Sequence, residues 1–306
     1  IGVPLTLLRL REEHEFAIIE MGANHQGEIA GLCEIADPTH GLITNIGKAH
    51  LEGFGGIEGV KKGKGELFRF LEKRGGLIFL NADDPELPGM TGLARRLSYG
   101  SDVDNDVIGL NCTTAETVAF KVSERTAFQG WDGIEEIRTR ITGNYNYINC
   151  LAAACVGMSF FVPFPKIREA LETYKPQMNR SQLLSTNRNT LILDAYNANP
   201  DSMKAAIENF SSYNAGKKMV LLGDMFELGE FSAAEHLSVI ELLMRKKFSE
   251  VYLVGKEFCN VAGSNFRCFA TTGECLEFLR KMDTEGYTIL IKGSRSMKME
   301  SLKDVL

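Results

Sequence analysis

No stretch of this chain is long and apolar enough to cross a bilayer. Its longest apolar run, Cys150–Phe164, falls short of the roughly 20 residues a spanning helix needs, and Gly157, Ser159 and Pro163 interrupt it. No signal segment is visible, no internal repeat occurs and no tract is of low complexity. A basic surplus is also missing: 34 Lys and Arg stand against 40 Asp and Glu, a net charge of −6. Broad nucleic-acid binding through phosphate neutralisation is thereby excluded. The seven cysteines form no CxxC pair, and their odd count predicts free thiols in a reducing, cytoplasmic compartment. An initiating Met is absent before Ile1, so the chain reads as a piece of something longer. What remains is ordinary globular composition. With 306 residues, 44% of them hydrophobic, two domains of core-forming size are expected.

Two glycine motifs fail on inspection. Gly53-Phe54-Gly55-Gly56-Ile57-Glu58 lacks the last glycine of GxGxxG. Gly59-Val60-Lys61-Lys62-Gly63-Lys64-Gly65 is one residue short of a P-loop and ends on Gly65 where Ser or Thr would bind Mg²⁺. Neither is a phosphate cradle.

The pattern of apolar runs predicts an α/β protein. Phe16–Met21, Gly41–Ile46 and Leu77–Leu80 read as buried parallel strands, with helices over Glu28–Ala36 and Ile57–Glu72 between them. Val107–Asn111, Thr117–Val122 and Glu135–Ile141 read as an antiparallel extension of that sheet, and Asn144–Phe161 and Pro165–Tyr174 as helices. The boundary is set at Lys175-Pro176, giving domains 1–176 and 177–306. Beyond it, a hairpin of Gln182–Ser185 and Thr190–Leu193 turns at Asn187-Arg188-Asn189. A second α/β alternation follows, with strands Val220–Leu222, Val251–Val254 and Ile289–Ile291 and helices Met203–Phe210, Ala233–Lys247, Thr272–Met282 and Met297–Val305.

Ligands of such sheets bind at strand ends. The first strand ends on Glu20, which serves equally as a Mg²⁺ ligand or as a helix cap. The second delivers Asn45 and His50, beside Glu52 and the glycine-rich bend Gly53–Gly56. A lone His is more often structural, and Lys61, Lys62 and Lys64 read blandly as a solvated patch. Asn144 and Asn146, around Tyr145 and Tyr147, suit either a helix cap or an amide-reading purine pocket. In the second half, Asp194-Ala195-Tyr196-Asn197-Ala198-Asn199-Pro200, Leu222–Gly229 and Lys292-Gly293-Ser294-Arg295 each follow a strand, so three loops fall at one edge of one sheet. That clustering points to a site between the domains.

Taken in order, EMGANHQGEI (20–29), TNIGKAHLEGFG (44–55), KGE (64–66), GNYNYINCLAA (143–153), DAYNANPDSM (194–203), LGDMFELG (222–229) and KGSRSMKME (292–300) resemble the motifs of the Mur ligases, specifically the branch that adds D-alanyl-D-alanine. The resemblance covers essentially the whole chain. It implies a central ATP-binding domain with a mostly parallel sheet, lacking its initial phosphate-loop part, followed by a Rossmann-like ligase domain. It also implies a cytoplasmic, monomeric ATP-dependent amide ligase of peptidoglycan precursor synthesis. Such an enzyme joins UDP-N-acetylmuramoyl-tripeptide to D-Ala-D-Ala through an acyl phosphate, releasing ADP and phosphate. By the same resemblance Glu20 and His50 bind two Mg²⁺ ions together with Lys64, which carries a carbamate. Carbamate formation needs a neutral amine, hence a lysine pKa pulled below about 10.4, which the neighbouring Glu66 would oppose. Asn146 then reads adenine, Arg180 faces ATP, Asp194 lies near the ribose, and Asn197, Asn199 and Arg295 serve the amine substrate and the closed site. Asn45 belongs to the nucleotide side. Tyr145 stands where the family usually has His, and the phosphate loop and UDP-binding domain are missing, which predicts a 306-residue piece that binds ATP poorly and is inactive alone. The competing readings are another ligase of the superfamily, such as folylpolyglutamate synthase, and a non-catalytic ligand-binding module of the same fold.

Overall fold

The computed structural model describes residues 1–113, 117–124 and 135–306. The chain forms two units, one of Ile1–Leu110, Val122–Glu135 and Ile148–Val162, the other of Asn111–Lys121, Glu136–Tyr147 and Pro163–Leu306. Among the described residues no helix is long and apolar enough to cross a membrane.

In the first unit, α1 (Gly2–Leu7) and α2 (Glu28–Ala36) precede the short strand β1 (His40–Leu42). Then come α3 (Leu51–Phe54), α4 (Ile57–Lys64), α5 (Glu66–Arg74), β2 (Leu77–Asn81), β3 (Arg95–Gly100) and β4 (Val107–Asn111). Strands β5 (Ala119–Glu124) and β6 (Glu135–Arg138), which run into residues of the second unit, complete a sheet of order β1-β2-β3-β4-β5-β6; helix α6 (Tyr147–Ser159) follows, and α7 (Phe164–Thr173) belongs to the second unit. Its core is built from Ile43, Phe68, Leu71, Ile78, Leu80 and Leu87.

Several expectations need correction here. Phe16–Met21 is no strand: Phe16 is 61% and Ile18 92% exposed. An apolar run becomes a strand only where a neighbouring edge takes its hydrogen bonds and a layer covers its side chains, and Ile18 has neither. Strand β4 runs parallel to the unforeseen β3, with Tyr99 opposite Val107, so no antiparallel extension begins there. The turns expected around β5 fall partly on 114–116 and 125–134, outside the described residues. The long helix foreseen over Ile57–Glu72 breaks at Gly65 into α4 and α5. A Cβ at Gly65 would meet the carbonyl oxygen of Lys61 at 2.9 Å, so the chain passes too closely there for a side chain.

The second unit holds β7 (Gln182–Ser185) antiparallel to β8 (Thr190–Asp194), then α8 (Pro200–Ser212), β9 (Lys217–Gly223), α9 (Ser232–Met244) and β10 (Glu250–Val254). It continues with α10 (Lys256–Ala262), β11 (Arg267–Phe269), α11 (Thr272–Leu279) and β12 (Tyr287–Lys292). The sheet order is β11-β10-β9-β12-β8-β7, parallel throughout except for β7. Leu191, Leu193, Leu221, Ile289 and Ile291, all buried from strands that read as unbroken apolar runs, make its core with Met299 and Leu302. The segment foreseen as a helix over Met297–Val305 is instead two 3₁₀ turns, separated where Lys298 takes φ +52°.

The expectation of seven thiols also fails. Cys259 and Cys268, on α10 and β11, are joined in a disulfide with their Cα atoms 5.5 Å apart. The β10–α10–β11 unit folds back on itself and brings these two residues together, which spacing along the chain does not reveal.

Candidate functional site

One group of candidates lies in the first unit. Asn45 lies just beyond β1, in a loop whose neighbours are pinned: Asn81 donates to the carbonyl of Thr44 at 3.0 Å, and the amide of Ile46 donates to Asp84 at 2.9 Å. The Lys64 ammonium, at the end of α4, donates to the Asn45 carbonyl at 2.9 Å. His50 stands at the start of α3 with φ +54°. Nearby, a Cβ on Gly53 would fall 2.3 Å from the carbonyl of Asn24, so the segment after Glu20 lies directly against α3. Glu20 itself is exposed, as is Glu52.

Glu66 turns to the neighbouring helix. Its carboxylate caps α2, accepting from the amides of Gly27 at 2.6 Å and Ala30 at 2.8 Å. The Lys64 ammonium and the Glu66 carboxylate thus each hold a main-chain partner. Among the described residues no three His, Cys, Asp or Glu side chains gather as a ready-made cation site. The donors here are one carboxylate, one imidazole and one amine. Mg²⁺ wants hard oxygens and keeps waters and phosphate oxygens in its shell. By their chemistry these donors would suit Mg²⁺ only with Lys64 as its carbamate, which would turn a repelling ammonium into two oxygen donors.

The second unit gathers the others at the carboxyl ends of β8 and β12. Asp194 ends β8; its Oδ1 accepts from the amide of Ser181 at 3.0 Å and its Oδ2 from Lys292 Nζ at 2.6 Å. The Ser181 hydroxyl pairs with the Tyr145 phenol at 2.9 Å and accepts from Asn146 Nδ2 at 3.4 Å. Asn146 Nδ2 also donates to the Thr142 carbonyl at 2.8 Å, and Thr142 Oγ1 donates to the Ser181 carbonyl. Burial, then the nearby Asp194 charge, push the Tyr145 phenol well above its ordinary range, so it stays protonated. Arg180 stacks on the Tyr196 ring at 3.9 Å, and Arg295 approaches the same ring at 5.2 Å. Both guanidiniums remain exposed.

Two asparagines are partly committed to the fold. Asn199 caps α8 in a reciprocal box with Ser202, and Asn197 Oδ1 accepts from the amide of Ala198. The 222–229 loop is held from within. The buried Asp224 accepts from the amides of Glu257 and Phe258 at the start of α10, and Met225 donates to His236 Nε2 at 3.1 Å. Burial raises the Asp224 pKa from its ordinary value, although the two amides oppose that.

Sequence reasoning quoted Lys292 within a motif but gave it no role, and it passed over Ser181. A lysine closing the apolar strand Thr288-Ile289-Leu290-Ile291-Lys292 was the available signal, because a buried ammonium demands a partner.

These two units define an α/β ligase of a recognised class: the chain belongs to the Mur ligase family. Residues 1–157 match the model of the Mur ligase middle domain, and residues 179–295 that of the Mur ligase glutamate ligase domain. Among its relatives are the UDP-N-acetylmuramoyl-tripeptide–D-alanyl-D-alanine ligases of Escherichia coli, 35% identical over 99% of this chain, and Bacillus subtilis, 32% identical over all of it. The chain spans 67% of the length of each. Among solved structures, MurF from Acinetobacter baumannii superposes with a TM-score of 0.87 at 30% identity, over 99% of this chain and 67% of that one. The Thermotoga maritima MurF ligase in complex with ADP shares the fold, with a TM-score of 0.84 at 23% identity over 99% of this chain and 70% of that one.

Proposed function

We propose that this chain supplies the ATP- and amine-handling parts of an ATP-dependent amide ligase that joins D-Ala-D-Ala to UDP-N-acetylmuramoyl-tripeptide in peptidoglycan precursor synthesis. The observation that carries this reading is the linking of Asn146, Ser181 and Asp194 by hydrogen bonds. Three separate segments thereby bring an amide, a hydroxyl and a carboxylate to one edge of a sheet, a pattern suited to a nucleoside. Likeness to the D-alanyl-D-alanine ligases along nearly the whole chain supports the reaction class. We place the domain division at Pro176, within the gap between the two family matches.

The chemistry follows from the substrates. A carboxylate is a poor electrophile, so the γ-phosphoryl group of ATP is transferred to it, giving an acyl phosphate and ADP. The dipeptide amine then attacks the carbonyl carbon, and the C–O bond to phosphate breaks from a tetrahedral intermediate as the amine loses a proton. An amine of pKa near 8 is partly neutral at pH 7, so a modest base is enough. The Asn146 amide reads the adenine amino edge, Asp194 accepts from the ribose, and Arg180 and Arg295 offset phosphate charge. Asn197, and the part of Asn199 not used in capping, face the amine substrate. Glu20, His50 and carbamylated Lys64 would hold Mg²⁺, with Asn45 fixing the lysine. Bound there, Mg²⁺ would neutralise phosphoryl oxygens. We place the enzyme in the cytoplasm, with ATP and the nucleotide-linked precursor.

Steady-state kinetics of the ligase test the reading. Asn146→Ala should raise KM for ATP about tenfold while leaving KM for D-Ala-D-Ala within about twofold. Equal effects on both would remove the adenine role. Lys64→Ala should abolish ligation, with no recovery in bicarbonate; retained turnover would sink the metal-bridging carbamate.

A further inference from the structure

We propose that Lys292 is a positioning residue that couples nucleotide occupancy to the order of the amine-receiving loop 195–199. The proposal rests on the nucleotide and amine roles given above for Asp194 and Asn197. Its physical basis is the register of two strands. In the parallel pairing of β12 with β8, Lys292 stands opposite Asp194, the last residue of its strand, and paired residues of neighbouring strands project to the same face. The Lys292 side chain is 2% exposed and that of Asp194 13%. An ammonium so placed is costly unless its donors are satisfied. Two partners take them: Asp194 Oδ2 at 2.6 Å and the backbone carbonyl of Asn197 at 3.3 Å.

The second of these contacts gives the lysine its larger role. Asp194 has its other oxygen turned toward the amide of Ser181, whose hydroxyl meets Tyr145 and Asn146. One carboxylate therefore faces the nucleotide-reading segment with Oδ1 and the lysine with Oδ2. The same ammonium that holds Oδ2 also holds the main chain of the loop carrying Asn197. When a ribose hydroxyl donates to Asp194, the charge offered to Lys292 falls and its grip on the Asn197 carbonyl is redistributed. A change at the nucleotide thus reaches the amine loop through one side chain. Linkage requires the reverse as well, so the dipeptide must alter nucleotide affinity by the same factor.

Backbone hydrogen exchange on the full ligase, with and without ATP, reads this directly, alongside dipeptide affinity. In the wild-type enzyme ATP should slow exchange at 143–146, 180–181 and 195–199 together, and should change dipeptide affinity about tenfold. In Lys292→Met, of similar length but without donors, ATP should still protect 143–146 and leave 195–199 unchanged, and the affinity change should vanish. Lys292→Gln retains a neutral donor in the same pocket, serves if the Met variant does not fold, and should show the same decoupling in weaker form. Either variant keeping both the protection of 195–199 and the affinity change would overturn the proposal. Wild-type enzyme showing no ATP protection at 143–146 would overturn the nucleotide reading first, and this inference with it.

Discussion

Carboxylates in this chain are distinguished by what they accept, and one of them makes stability depend on pH. Glu28 takes the amide hydrogens of Asn24 at 2.7 Å and His25 at 3.2 Å. Those two amides, followed by the His25 ring, hold its carboxyl below the ordinary 4.5. A depressed folded pKa means that this stabilisation is complete above the unfolded value near 4.5 and is lost as pH falls through the folded one. Glu28→Gln should therefore lower the urea midpoint at pH 7 and leave it little changed at pH 3, as fluorescence-monitored unfolding can check. Residue identity alone foretold little of this. Glu20, Glu28 and Glu66 look alike in sequence, yet Glu28 and Glu66 hold amides around the start of α2, and of these two only Glu66 is half-buried. Asn146 and Asp194 stood out as candidates because they sit in ordered motifs. Lys292 and Ser181 did not, because their importance lies in partners 98 and 13 residues away.

At the scale of elements, legibility follows how local the deciding forces are. Both ends of α2 and all of β7 agree with the sequence reading, since caps, turn residues and a two-residue alternation act over a few positions. The break at Gly65 and the absence of a strand at Phe16–Met21 depend instead on what lies alongside. The α3–α4 contact is a similar case. A Cβ on Gly59 would lie 1.8 Å from the carbonyl oxygen of Phe54, and one on Gly63 would lie 2.3 Å from the Phe54 ring. Gly59 opposes a backbone atom that cannot step aside, so Gly59→Ala should cost about 1–3 kcal/mol despite alanine's better helix propensity. Differential scanning calorimetry would register this as a lowered Tm, and an unchanged or raised Tm would contradict the close approach.

Across the whole molecule the cysteines are graded by exposure, and this makes the fold countable in solution. Cys112 is exposed, and Cys33, Cys150, Cys155 and Cys275 are buried thiols. Burial pushes Cys33 up to about 11 and Cys150 and Cys275 up to about 12, leaving almost no thiolate at neutral pH. Alkylation at pH 7.5 followed by mass spectrometry should add one label to the oxidised native protein. Reduction should release Cys259 and Cys268 and raise the count to three, and unfolding should expose all seven. A cytoplasmic setting would hold the 259–268 pair reduced, so native protein alkylated inside intact cells should already carry three labels.

Strand β12 lies between β8 and β9 although it follows every other strand of its sheet along the chain. During synthesis the ribosome therefore delivers β8 and β9 well before the segment that seals them, and each waits with one bare edge. The nascent domain has to stay open until residues 287–292 emerge, and the pairing of Lys292 with Asp194 comes with that last insertion.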